Sequence, residues 1–223
     1  MRETEIAKGE YYHIYNRGVD HRSIIQDAYD TNRFIQSLIE FNVEEPIGSI
    51  YENSFKTKKL QVKNNKNKKL VDIVCYCLNP NHFHFLLMPH SDDGIAKFMH
   101  RLSMGYARYF NQKYHRSGAL FQGKFKAKHV SNNDYLLHLS AYVNLNNRVH
   151  QLGHRVTKLV RTSWPYYTGE RNNDLILSGT DIVTDQFKNH KEYIDFSEDA
   201  LISMLETKEE DREEELNDLF IDN

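Results

Sequence analysis

The sequence predicts an α+β fold, an antiparallel sheet with helices packed on one face. Three observations carry this reading. Tyr11–Asn16, Val71–Leu78 and His82–Met88 are rich in β-formers and bounded by turn signals. Two longer stretches, around Phe34–Ile39 and Ile95–Phe110, place apolar residues at helical spacing. Strands and helices then mix without the regular βαβ alternation of a parallel sheet.

Each element has its own justification. YYHIYN stops at Arg17-Gly18, as a first strand and turn would. Thr31 or Asn32 is the expected cap of a first helix, in which Phe34, Ile35, Leu38, Ile39 and Asn42 keep a 3-4 spacing until Glu45-Pro46-Ile47-Gly48 ends it. Lys56–Lys69 has seven lysines and no acid, and reads as a basic loop insertion over about residues 52–70 that could also touch phosphate. VDIVCYCL is a buried strand, Asn79-Pro80-Asn81 a turn, and HFHFLLM a second strand. From Ile95 the period becomes helical, with Phe98, Met99, Leu102, Tyr106, Tyr109 and Phe110 along one face. Phe121–Val130 alternates bulky and basic residues, which predicts a strand with Lys124, Lys126 and Lys128 aligned outward. Asn132 or Asn133 caps a helix from about Asp134 to Asn146. From Asp195, Leu201, Ile202, Met204 and Leu205, then Leu216, Leu219 and Phe220, read as a pair of helices in an acidic tail.

Charge divides the chain. It has 223 residues and a formal net charge of −2, but Glu198–Asn223 holds eleven acids and two bases, leaving a body of charge +7. Ile95–Asn133 contains no carboxylate, yet carries Lys97, Arg101, Arg108, Lys113, Arg116, Lys124, Lys126 and Lys128 interleaved with aromatic rings. Cations and flat rings together suit a polyanion with stackable bases, particularly single-stranded nucleic acid. Those eight residues, with Arg17 at the end of the first strand, are the candidate nucleic-acid contacts. No apolar run approaches the length needed to span a bilayer, and MRETEIAKGEYY has charges where a signal peptide is apolar. Cys75 and Cys77 share a strand face with extended backbone between them, a poor geometry for a bridge, so they read as buried thiols in a reducing cytoplasm.

The chemistry centres on His82-Phe83-His84. On a strand the two imidazoles project from one face and Phe83, Phe85 and Leu87 from the other, which makes a platform for a divalent metal that still lacks a third ligand.

The run CYCLNPNHFHFLLMP resembles the His-hydrophobic-His motif of the single-tyrosine HUH transposases. YYHIYNRGVDHRSII, GALFQGKFKAKHV and DYLLHLSAYVNLNNRV are similar to that family's opening strand, central strand and nucleophile helix, in the same order. Ser163–Tyr167 (SWPYY) resembles the Trp-centred closing segment of the REP-associated branch. The resemblance spans about residues 8–170. It implies a ferredoxin-like α+β catalytic domain, placed over residues 1–170; the acidic residues and apolar spacing beyond it read as a helical extension over 171–223.

Residue by residue, the resemblance implies Tyr142 as nucleophile and His82, His84 and Asn146 as ligands of Mg2+ or Mn2+; ligand type alone favours Mn2+. Tyr142 and Asn146 are spaced i and i+4, neighbours on one helix face. His138, one turn earlier, either assists the phenol or fills space. The implied reaction is cutting and rejoining of single-stranded DNA, with a hairpin beside the cleavage point, by a cytoplasmic monomer or homodimer. The sequence departs from the family in having Asn146-Asn147 where many members have Asn-Pro, in the Lys/Asn-rich insertion, and in the acidic tail. Two other classes stay open: a nucleic-acid-binding protein without catalysis, and a metal phosphodiesterase that activates water.

Overall fold

Strand alternation decides which residues face which side of the sheet in the computed structural model, which describes residues 5–54, 68–150 and 158–221, with side chains to residue 209 in the last helix. In β1 (Tyr12–Arg17), Tyr12 and Ile14 point to one side and His13 and Tyr15 to the other. In β3 (His82–Pro89), Phe83, Phe85 and Leu87 join the first side, and His84 and Leu86 the second. β2 (Val71–Leu78), β4 (Lys126–His129) and the short β5 (Arg161–Thr162) complete a five-stranded antiparallel sheet of order β4-β1-β3-β2-β5.

On the first side lie α1 (Ala28–Glu40) and α3 (Gly94–Lys113), with the five-residue α2 (Ile50–Ser54) between them in sequence. The order β1-α1-β2-β3-α3-β4 is the ferredoxin-like pattern expected from the sequence. Phe34, Leu38, Ile95, Phe98, Leu102 and Tyr106 bury their side chains against Ile14, Phe83 and Phe85. Close approach of α3 requires Gly105, where a Cβ would stand 2.5 Å from the Phe41 ring. The cap of α1 is Asp27, not Thr31 or Asn32. The Asp27 carboxylate accepts from the Asp30 amide and Asp30 accepts in return, a capping box built from two aspartates. Thr31 is buried inside the first turn, and its hydroxyl donates to the Leu159 carbonyl at 3.1 Å.

The helical layer expected on one face is joined by a second on the other. There α4 (Asn133–Asn144) packs Leu136, Leu139 and Val143 onto Val74, Cys75, Cys77 and Leu86. A register shift between Ile73 and Cys75 turns both Val74 and Cys75 toward α4, as a bulge does. The Tyr167 hydroxyl donates to the Val74 carbonyl at 2.8 Å from α6 (Trp164–Tyr167). Ser163 accepts from the Tyr76 amide and donates to the Asn144 side chain, and the Asn144 amide donates to the Tyr193 hydroxyl at 2.8 Å. The C-terminal end of α4 is thereby tied to a strand and to the last helix.

Other elements differ from the sequence reading. Only Lys126–His129 of the expected Phe121–Val130 strand is regular, because Gly123 takes a positive φ of 68° and the chain ahead of it touches the sheet through a single Gly18–Phe121 bridge. Lys126 and Lys128 thus share a strand and Lys124 precedes it. α4 ends at Asn144; Leu145 leaves helical geometry, and α5 (Asn146–Val149) begins anew. The expected helix pair is one helix, α8 (His190–Ile221), preceded by the short α7 (Asp181–Thr184). No Gly or Pro interrupts His190–Ile221, so nothing in the sequence stops the helix. Residues 56–67 of the Lys/Asn-rich insertion lie outside the described residues.

Candidate active site

The sheet face covered by α4 carries the polar cluster. Tyr15 on β1 lies opposite His84 on β3, so their rings stack at 5.6 Å, and His13 sits diagonally with its Nε2 2.8 Å from His84 Nδ1. Burial holds both imidazoles neutral: it drives His84 well below the ordinary range, with His13, His82 and His150 adding to the effect, and takes His13 to about 4, with Lys128 adding to it. His82, one pleat away, is lowered chiefly by burial. Tyr142 reaches over from α4, its ring edge-on to His84 at 5.4 Å and to His13 at 5.9 Å. Burial raises the phenol above its usual value, while the neighbouring Asn146 side chain opposes that rise. The kink at Leu145 thus keeps the amide beside the phenol although the two residues are not on one continuous helix.

The hydrogen bonds around His82 assign its tautomer. Its Nδ1 lies 2.6 Å from the Asn81 carbonyl oxygen Oδ1, which can only accept, so Nδ1 carries the proton and Nε2 is a lone pair. The Asn146 Oδ1 lies 3.0 Å from that Nε2. Two acceptors therefore face each other, and the Asn79 amide donates to both, at 2.8 and 2.7 Å. The Asn146 Nδ2, fully buried, has no hydrogen-bond partner among the described residues.

Lone pairs converging with too few protons fit a cation. So does the support for each imidazole, since a ligating histidine ordinarily hands its second nitrogen to a polar neighbour, here Asn81 for His82 and His13 for His84. Among the described residues no three His, Cys, Asp or Glu side chains form a metal-holding group, so a cation here depends on the Asn146 amide. Two imidazoles and an amide are neutral, and an ion they hold keeps its full charge toward a phosphate.

Residues 48–146 match the family model described as "Transposase IS200 like". That segment, which holds His82, His84, Tyr142 and Asn146, is similar to the IS200-like transposases. No curated protein sequence matches it. Among solved structures, that of "the REP associates tyrosine transposase bound to a REP hairpin" aligns over 80% of this chain and 91% of that one, at 13% identity and a TM-score of 0.49.

The candidate phosphate-binding cations fall into two groups. Lys113 is held by Asp27 and Asp30, Arg101 donates to the carbonyls of Val43 and Glu44, Arg116 is folded back on Asn111 and Ala119, and Lys97 pairs with Asp93. Arg17 donates to Gln122 beside the His82 end of β1. Arg108 and Lys124 are exposed, and Lys126 and Lys128 lie over the rings of Tyr15 and Tyr135 on the sheet face that carries the cluster.

Sequence reasoning passed over His13, Asn79 and His150, whose ring stands 4.9 Å from that of His82. His13 was visible as the polar member of a strand alternation, Tyr12-His13-Ile14-Tyr15, that put it on the face opposite the core residues. No membrane-length apolar helix occurs among the described residues.

Proposed function

We propose that this protein is a single-tyrosine HUH transposase that nicks and rejoins single-stranded DNA by transesterification through Tyr142, at hairpin-bearing sites. The observation that carries the reading is the convergence of Tyr142, from α4, on His84 and Asn146, which sets the phenol ring edge-on to a proposed ligand imidazole.

A divalent cation, Mg2+ or Mn2+, bound by His82, His84 and Asn146 supplies Lewis acidity toward a phosphate oxygen. The chain's own groups prepare the rest. Burial keeps the Tyr142 phenol protonated at rest, and the nearby Asn146 side chain favours the phenolate as the proton leaves. The phenolate oxygen attacks phosphorus, the bond from phosphorus to the 3′-oxygen breaks, and the departing oxygen takes up a proton in place of the one lost by the phenol. The products are a 5′-phosphotyrosine and a free 3′-hydroxyl. One phosphodiester has been exchanged for another, so a second 3′-hydroxyl can reverse the step without ATP. The absence of carboxylates from Ile95 to Asn133 and the resemblance of SWPYY to the REP-associated branch support a hairpin-bearing strand as the substrate.

The test is incubation with a pool of short hairpin-bearing single strands in Mn2+, then denaturing electrophoresis and mass mapping of any DNA-linked peptide. A covalent adduct on the peptide containing Tyr142 is the expected result. Cut DNA with no linked peptide would move the reading to hydrolysis by water, and salt-sensitive binding without cleavage to a DNA-binding protein.

A further inference from the structure

A groove of about 770 Å³ lies on the first side of the sheet, across it from Tyr142, where α1, α2 and α3 meet. Its lining is mainly apolar. The Phe41 ring seats against Gly105, Ile50 is buried, and Met104 and Tyr51 are 62% and 71% exposed. Cations stand among them. The Arg33 guanidinium lies 5.2 Å from the centre of the Tyr109 ring, and its buried Nε has no hydrogen-bond partner among the described residues. Arg108 is exposed, and neither arginine joins an ion pair among the described residues. Glu52, the one lining carboxylate, accepts from the Ser49 amide at 3.0 Å. An apolar trough with unmatched cations fits an occupant that is amphipathic and acidic.

The chain itself carries such a segment. α8 is fixed on the opposite side of the sheet by the bidentate Arg148–Glu198 pair, by Leu201 packing on Leu145 and Val149, and by Lys208 donating to the Val149 carbonyl at 3.0 Å. Beyond Lys208, the turns from Glu209 to Ile221 lengthen the helix by about 20 Å. They hold seven acids against the single base Arg212, and Leu216, Leu219 and Phe220 follow the i, i+3, i+4 spacing with which an amphipathic helix enters a groove. A continuous helix anchored on one side of the sheet does not fold back to the other.

We propose that the groove between α1, α2 and α3 receives the acidic C-terminal turns of α8 from a second copy of the chain. Leu216, Leu219 and Phe220 meet the apolar floor, and the glutamates beside them meet Arg33 and Arg108. The inference is independent of the reading of Tyr142. A nucleic-acid strand also brings negative charge, but Phe41, Ile50 and Met104 reward apolar side chains more than phosphates.

The experiment uses the full chain. In light scattering its mass is expected to rise above the 26.4 kDa of one copy as protein concentration increases, and to fall back as salt is raised. Arg108→Glu and Leu219→Asp are each expected to weaken self-association by at least about tenfold through facing like charges or a buried carboxylate. Thermal melting checks that both remain folded. Chains carrying Met104→Cys, mixed with chains carrying Phe220→Cys, are expected to form a mixed disulfide on oxidation, since Cys75 and Cys77 are buried. A mass of one copy at every concentration with no mixed disulfide would overturn the proposal. So would a disulfide formed only within single chains carrying both substitutions, which would make the occupant the chain's own tail. Binding of a hairpin-bearing oligonucleotide that is lost in Met104→Glu, with no self-association in the parent, would give the groove to DNA instead.

Discussion

The phenol of Tyr142 stands edge-on to the imidazole of His84, ring centres 5.4 Å apart at 87°. One side chain comes from a helix and the other from a central strand, and the ties of Ser163 and Tyr193 to Asn144 hold the helix end in register with the sheet. The approach is therefore a property of the packed fold. Burial raises the phenol above its usual value, which makes it costly to ionise when no substrate is present.

Removing only the hydroxyl isolates its role. Tyr142→Phe keeps the ring contacts with His84 and His13, and its melting temperature should stay close to the parent's. Strand cleavage and the covalent DNA adduct should fall by at least about a thousandfold, as for loss of other covalent nucleophiles, while DNA affinity is retained. Single-turnover cleavage of a hairpin-bearing strand on a denaturing gel, beside an anisotropy titration, reads both quantities.

Metal affinity should follow the hydrogen-bond shell as well as the ligands. His84→Ala removes a donor and should abolish Mn2+ binding measured by calorimetry. His13→Ala leaves both proposed ligand imidazoles in place but frees His84 Nδ1, and should weaken Mn2+ by about 10–100-fold, the usual cost of losing such an outer partner. Equal affinities for the parent and His13→Ala would mean that the 2.8 Å contact between the two rings does not orient the ligand.

The sheet, both long helices on its first side and the convergence of His82, His84, Tyr142 and Asn146 were legible because each rests on local periodicity or on motifs in a known order. What escaped the sequence is long-range. His13 and His84 are 71 positions apart and meet through strand pairing, which no spacing rule states. The cap of α1 escaped because Asp27 and Asp30 form their box from two carboxylates, whereas the Thr31 signal was a buried hydroxyl serving Leu159. A carboxylate-free stretch of sequence likewise said nothing of carboxylates arriving from elsewhere, and Asp27 and Asp30 of α1 claim Lys113.

Acid should destabilise the protein before it affects most carboxylates. His13 is buried and neutral, with its value lowered from 6.5 to about 4. Between those limits the unfolded chain binds the proton and the folded one does not, so folding stability falls as pH drops from about 6.5 toward about 4 and levels off below. Neighbouring His84 is depressed in the same direction and reinforces the trend. Melting temperatures recorded across this range should decline steadily for the parent, and His13→Gln, which cannot take up the proton, should show a shallower decline. A flat profile for the parent would contradict the burial of these rings.

Lys113 offers the clearest division between a structural and a DNA-binding cation. Its ammonium lies 2.7 Å from an oxygen of Asp30, whose carboxylate is fully buried, and 2.7 Å from one of Asp27. Asp30 also accepts from the hydroxyls of Tyr109 at 3.0 Å and Tyr114 at 2.7 Å, so it keeps hydrogen bonds when the lysine is removed but loses its compensating charge. Lys113→Met should therefore cost roughly 2–4 kcal/mol of stability, near the lower end of what breaking a buried ion pair costs, because the lysine itself is partly open to water. Lys113→Met with Asp30→Asn should recover part of that loss, since the buried charge is gone as well. Urea unfolding of the three proteins measures this directly. DNA affinity and its salt slope should remain those of the parent in the folded Lys113→Met protein, whereas Lys128→Ala should change both with little effect on the unfolding midpoint. A Lys113→Met protein of normal stability but reduced salt slope would transfer Lys113 from the folded scaffold to the DNA-binding surface.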